Sequence, residues 1–342
     1  MRAWRLMKHG APARALALQD VPAPTPAPGE VLIASEGFGL NYADVMAVKG
    51  LYRDAPPVPC VLGYETVGRV TAVGDGVPAA LLHQRVVAMT RFGGYAEQAV
   101  TDHRALAVID DGVPLGEALA LATQGCTAWY MAMVARPLRP GQRVLVHSAA
   151  GGVGLLLVQL ALHQGCEVFS VASGAEKRER LRALGVQHVI DRQAGNIHER
   201  LQHLLGREQL DAAFNAVGGT TFKRDLALIG SGGALVLFGG SERGGGRSGL
   251  LGTLAFVWRM GLVVPIFLMM RSRSLIGVNM LRISEQKPEL IAECLCEVVR
   301  ARNEGWLRPH VHHTYPSSEL PAALAALAGG RTSGKVAVRW DG

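Results

Sequence analysis

The chain has 342 residues, 49% of them apolar and 42 of them glycine, with a formal net charge of +7. That length suits two domains, and the glycine content suits an α/β protein with many tight turns. The basic residues are scattered and aromatic residues make up only 6%; without a Lys/Arg stripe interleaved with stacking rings, nucleic acid is not an expected partner.

From the N-terminus, Met1-Arg-Ala-Trp-Arg-Leu-Met leads directly into a strand-like segment, with no cleavable signal visible. Val21 to Gly29 is a stiff proline-rich connector. Glu30 to Gly39, Thr66 to Val73, Arg85 to Met89 and Tyr95 to Val100 read as short strands bounded by glycine. From about residue 123 the pattern changes to alternating strand and helix. Strands are expected at 143–147, 167–171, 187–190, 211–215, 234–238 and 274–279, and helices at 152–164, 175–183, 197–205 and 220–228. Such spacing implies a doubly wound parallel sheet with its ligand at the carboxyl edge. A helix near 286–304 follows, and Lys335 to Trp340 is a final strand expected to return to the first domain.

The run Leu145-Val-His-Ser-Ala-Ala-Gly-Gly-Val-Gly154 carries the most chemical information. An apolar strand enters a glycine-rich turn that opens a helix, which places bare N–H groups where a pyrophosphate can bind. Ala149-x-Gly151-x-x-Gly154 is the dinucleotide fingerprint with alanine in its first place, so Gly151, Gly152, Val153 and Gly154 are candidate phosphate contacts. A tight strand–helix turn without ligand would look similar. The next strand ends at Ser173 with no acidic residue to grip a ribose 2′-hydroxyl. Ser173 and Lys177, with Arg192 as second choice, would instead attract a 2′-phosphate, which favours NADPH. The run Lys177 to Arg182 also reads as the solvated face of a helix.

Two features stand apart. The five cysteines, Cys60, Cys126, Cys166, Cys294 and Cys296, are odd in number and lack framework spacing, so reduced thiols in a cytoplasm are expected. Ser248 to Met270 carries a single charge, Arg259, flanked by Arg243, Arg247, Arg271 and Arg273. Its place between the fifth and sixth strands argues against spanning a membrane, and Pro265 breaks a continuous helix. Two short helices at a domain or subunit interface are expected at 248–270, with peripheral membrane contact as the other reading.

Gly39-Leu-Asn41-Tyr-Ala-Asp44, Lys49-Gly-Leu-Tyr52, Gly63-Tyr-Glu65-x-x-Gly68-x-Val70, Gly74-x-Gly76, the fingerprint and Gly334-Lys-Val336 together resemble the medium-chain dehydrogenase/reductase superfamily. Within it the chain is most similar to the zinc-independent quinone oxidoreductase branch and its vesicle-amine-transport-protein-like members. The resemblance implies a GroES-like β-rich catalytic domain, residues 1–122 with 283–342, and a Rossmann domain, residues 123–282, with NADPH across the cleft. It implies that Asn41, Thr127 and Tyr130 line the nicotinamide end. Asn215, Phe238, Gly239, Gly240, Gly277, Val278 and Asn279 would border the ribose and carboxamide, with Arg331 reaching the cofactor from the tail.

The positions that hold catalytic zinc in other members are here Asn41, Tyr64 and Gln124, poor ligands beside thiolate and imidazole, so no metal is expected. Glu65 then reads as a structural carboxylate, and His147 and the pair His312-His313 are left as structural. Without a Lewis acid, hydride transfer suits acceptors that are already electrophilic, quinones and α,β-unsaturated carbonyls. Asn41, Tyr52 and Tyr64 are the candidate catalytic residues; either tyrosine could also simply pack. The leading expectation is a zinc-independent NADPH-dependent quinone or enone reductase, a homodimer by resemblance. The alternative is a membrane-associated, NADPH-binding interaction protein with little catalysis. A third reading, enoyl-thioester reduction, needs a channel for an acyl carrier arm that a sequence cannot show.

Overall fold

The computed structural model describes residues 1–245 and 249–341, so Ser248 of the apolar stretch and the flanking Arg247 lie outside the described residues. The chain forms two compact units, Met1–Thr127 with Met280–Gly342, and Ala128–Asn279. The expected boundaries at 122/123 and 282/283 differ by a few residues. The first observed one falls inside a helical run, Leu115 to Ala135, where no loop marks it in sequence.

In the first unit, Glu30–Leu40 is the central strand of a seven-stranded sheet. It pairs antiparallel with Glu65–Val73, with Gln98–Asp102 and with the C-terminal strand Lys335–Arg339. Both chain ends therefore meet here, as expected. The register Val336↔Leu40 sets Lys335 beside Asn41. Phe38, Leu40, Leu62, Tyr95, Leu324, Val336 and Val338 close the core beneath. The strand expected at Tyr95 to Val100 starts later, at Gln98. Tyr95 is instead a fully buried core residue whose N–H donates to the Leu62 carbonyl.

The second unit holds six parallel strands in the spatial order His188–Asp191, Glu167–Ala172, Arg143–Val146, Leu210–Asn215, Ile229–Leu237, Ser274–Gly277. The order reverses between the second and third expected crossovers, so the crevice at the carboxyl edge opens beside Arg143–Val146. These strands are near-continuous apolar runs because helices cover both faces of a parallel sheet. The strand expected at 234–238 begins earlier, at Ile229, with Gly232 at positive φ and a register shift against Leu210–Ala212. The positive φ of Gly232, which glycine adopts without strain, accompanies that irregularity. The helix expected near 286–304 is Pro288–Asn303, and a separate helix, Met280–Gln286, precedes it and ends ahead of the proline. The 248–270 stretch forms two helices, Leu250–Met260 and Pro265–Met270. Within this single chain Trp258, Leu262, Phe267 and Met270 are exposed.

Candidate active site

The second unit forms a cradle from backbone. The His147 N–H donates to Phe214 and the Ala149 N–H to Val171, which pins the turn after Arg143–Val146 to the strands on either side. Ser148 takes φ 51° to turn the chain, and the Gly151 N–H closes back on the Ser148 carbonyl at 2.8 Å. The helix Gly152–His163 starts at once. A Cβ on Gly154 would overlap the Ser148 carbonyl and lie 2.7 Å from the Ala149 Cα, so only glycine lets the helix sit this close. The N–H groups of Gly152, Val153 and Gly154 in the first turn have no acceptor within the helix, and the helix dipole adds partial positive charge. This cradle fits a dinucleotide pyrophosphate.

At the end of Glu167–Ala172, Ser173 and Gly174 (φ +90°) lead into the helix Ala175–Ala183. Lys177 is half-buried there. Its ammonium is pulled below the usual lysine range first by burial and then by the nearby charge of Arg192. Two cations therefore face one region from two strand ends, an arrangement an anion relieves. The carboxylate at the end of the next strand, Asp191, is taken by Arg178 at 2.9 Å. Arg178 thus leaves the solvated face, whereas Arg180 and Arg182 pair along it with Glu176 and Glu179.

Phe238, Gly239, Gly240, Gly277, Val278 and Asn279 follow the next two strands at the same carboxyl edge, all at least partly exposed, and Tyr130 is half-buried in the same unit. Asn215 closes the strand Leu210–Asn215 at that edge. Its side chain is fully buried and consumed within the protein. Its Nδ2 donates to Asp225 and to Thr221, and its Oδ1 accepts from Val217 and Gly218 N–H. Asn215 therefore shapes the 216–219 loop and does not present its amide to a ribose. Asp225 also accepts from His147 at 2.9 Å and from His198 at 2.8 Å. Burial pushes the Asp225 carboxyl up, but the two imidazoles hold it below the ordinary range. His147 is structural, as expected, while Asp225 and His198, distant in sequence, carried no signal. This trio is the one group of metal-ligand spacing among the described residues. Its members are already joined by hydrogen bonds.

The first unit holds a cluster of buried charge. Glu65 and Lys335 form an ion pair with both side chains at 0% exposure. The Asn41 Nδ2 donates to Glu65 Oε1 at 2.9 Å, and the Thr123 N–H donates to Glu65 Oε2 at 2.9 Å. The Gln124 Nε2 reaches the Asn41 Oδ1 at 3.2 Å. A Cβ on Gly39 would collide with both Glu65 and Lys335, which explains the glycine ahead of Asn41. Thr123 and Gln124 sit on a π-helical turn, Leu121–Gly125, a form common at functional sites and unreadable from apolar periodicity. Glu65 is the structural carboxylate expected; its partner Lys335 lies in a quoted motif but was given no role. The signal was a lysine opening an otherwise apolar strand.

Asn41 caps the helix Tyr42–Val48, with Asp44 closing a capping box onto the Asn41 N–H. Burial lifts the Asp44 carboxyl to about 7 against the pull of that N–H. Tyr52 and Tyr64 lie edge to face at 6.0 Å, and Tyr64 also meets Phe92 at 5.3 Å. Burial, then Asp54, raises the Tyr52 phenol to about 12, and burial raises Tyr64 further. The Tyr64 hydroxyl is buried without a hydrogen-bond partner among the described residues, a cost that a ligand oxygen would relieve. Thr127 is buried, its hydroxyl donating to the Thr123 carbonyl, and Arg331 is exposed.

Comparison with known proteins matches two stretches of the chain to families. Residues 27–140 match the alcohol dehydrogenase GroES-like domain family, and residues 152–295 match the zinc-binding dehydrogenase family. The human synaptic vesicle membrane protein VAT-1 homolog is 30% identical over 323 residues, 93% of this chain and 81% of that protein. Escherichia coli quinone oxidoreductase, solved with NADPH, superposes with a TM-score of 0.86 at 25% identity, covering 99% of this chain and 100% of its own. A mycobacterial protein also solved with NADPH gives 0.86 at 31% identity, with 99% and 100% covered. The zinc in one family's name does not fit the residues here. Asn41, Tyr64 and Gln124 offer two amides and a phenol, and the adjoining carboxylate already holds an ammonium that would repel a second cation.

Proposed function

As the chain belongs to the medium-chain dehydrogenase/reductase superfamily, we propose that it is an NADPH-dependent oxidoreductase that reduces quinones or α,β-unsaturated carbonyls without zinc. The observation that carries this reading is the Lys335 ammonium seated on Glu65 between the two amides. With no Lewis acid to polarise an alcohol or ketone, the acceptor must be electrophilic by itself. NADPH, when bound, supplies the hydride. Gly151 to Gly154 hold its pyrophosphate, and Lys177 with Arg192 bind the 2′-phosphate. The raised phenols of Tyr52 and Tyr64 stay protonated across the working range, so they serve as neutral hydrogen-bond donors that orient the acceptor oxygen. Asn41, held by Glu65, keeps its amide in one orientation.

Purified protein mixed with NADPH and a panel of quinones, enals and enones is expected to oxidise the cofactor, with no loss after treatment with a zinc chelator. Oxidation by no acceptor, while calorimetry still shows NADPH binding, would instead support the non-catalytic alternative. Stoichiometric zinc in the purified protein would sink the metal-free reading.

A further inference from the structure

Asp225, on the helix Thr220–Leu228, is a fully buried carboxylate held by neutral groups in place of a lysine or arginine. It accepts from the His147 Nε2 at 2.9 Å, from the His198 Nε2 at 2.8 Å and from the Asn215 amide. A carboxylate only accepts, so each imidazole carries a proton on Nε2 and the Asn215 amide turns its nitrogen inward. One orientation is then left for the Asn215 Oδ1. It accepts from the Val217 and Gly218 N–H groups, each at 2.8 Å.

That grip matters because the loop has little else to fix it. Gly218 and Gly219 take φ +66° and +55°, two successive left-handed residues, and glycine gives up more backbone freedom on ordering than any other residue. The next loop hangs on this one. The Ser241 N–H donates to the Ala216 carbonyl at 3.0 Å and the Glu242 N–H to the Val217 carbonyl at 3.1 Å. Gly239 passes so close that a Cβ on it would lie 2.7 Å from the Ala216 carbonyl oxygen. On the other side, His147 is the last residue before the turn at Ser148 that opens the cradle. One carboxylate thus ties together the entry to the cradle and the loops at 216–219 and 238–242. We propose that Asp225 is a positioning residue for the dinucleotide, setting these three segments through His147 and Asn215 without touching the cofactor. The proposal rests on the NADPH reading.

The test compares the full chain with Asp225→Asn and with the swapped variant Asn215→Asp/Asp225→Asn. The single change keeps the shape but sets an amide nitrogen among donors. Turning Asn215 over to meet it would aim its Nδ2 at the Val217 and Gly218 N–H groups, so the loop loses its anchor. The swap restores each pairing. The carboxylate now at position 215 accepts from both loop N–H groups and from the amide at 225, whose oxygen accepts from both imidazoles, as Oδ1 of Asp225 does. Two readouts are taken well below the melting temperature: hydrogen exchange at the Val217 and Gly218 amides without nucleotide, and calorimetric titration of NADPH and NADH. Asp225→Asn is expected to speed exchange at both amides and to weaken both nucleotides about tenfold, the scale of one hydrogen bond left unmade. The swapped variant is expected to return both readouts toward the wild type. A lower melting temperature in Asp225→Asn with exchange and affinity unmoved would overturn the proposal, as would a swapped variant no better than the single one. Wild-type protein that bound neither nucleotide would overturn the cofactor reading and the positioning role with it, an outcome distinct from wild-type binding that the variant leaves unchanged.

Discussion

The two units solve one problem, holding polar chemistry inside an apolar protein, by opposite means. The second unit removes side chains: Gly151 and Gly154 bring a helix start against a strand end and leave its N–H groups for a ligand to satisfy. The first unit adds charge and neutralises it internally, with Glu65, Lys335, Asn41 and Gln124 joined in one buried network. The backbone cradle costs little when empty, because water can satisfy it. The charged network is stable only when every member is present.

The sharpest way to break the comparison is therefore Lys335→Met. It leaves Glu65 as an uncompensated buried carboxylate and is expected to cost about 3–5 kcal/mol in chemical denaturation. The double variant Lys335→Met/Glu65→Gln should recover a large part of that loss, since two neutral groups need no counter-ion. Equal losses in the single and double variants would show that the pair's charge is not what holds this region.

Asp44 gives a pH-dependent version of the same contrast. Its carboxyl titrates near 7 in the folded protein against 3.8 in a free chain, because it is fully buried. Between those values the native state keeps a proton that the unfolded state has released. The contribution to stability is thus complete below pH 3.8 and is lost as pH rises through about 7. The full swing is at most about 4 kcal/mol. Melting temperature measured from acid to neutral pH should fall in the wild type and flatten in Asp44→Asn. Parallel slopes in the two proteins would assign the effect to other groups.

What sequence reveals follows the same division. The cradle was legible, because strand, glycine turn and helix are consecutive and each leaves a local signature at 143–163. The six-strand sheet was legible for the same reason. The charged network was half legible: Asn41 and Glu65 sit in recognisable motifs, but Lys335 meets Glu65 across 270 positions through the Val336↔Leu40 register, which no periodicity encodes. Asn215 lies at the expected strand end, but the inward turn of its side chain to Asp225 left no mark in sequence. The apolar helix pair was legible as two helices, yet hydropathy is equally high in Gly152–His163, which is buried almost throughout. Only packing separates a core helix from an exposed one.

The smallest expected effect lies in the second unit and tests its side of the contrast. Lys177 is only half-buried, and its role is to meet an anion beside Arg192; it holds no part of the core. Lys177→Ala is expected to leave the melting temperature unchanged and to weaken NADPH binding about tenfold, near 1.4 kcal/mol, the scale of one charge-assisted hydrogen bond. NADH lacks the 2′-phosphate, so its affinity should not move. Calorimetric titration of both nucleotides into both proteins reads this directly. A parallel loss for NADH would mean that Lys177 supports the turn itself, and the second unit would then depend on charge in the way the first one does.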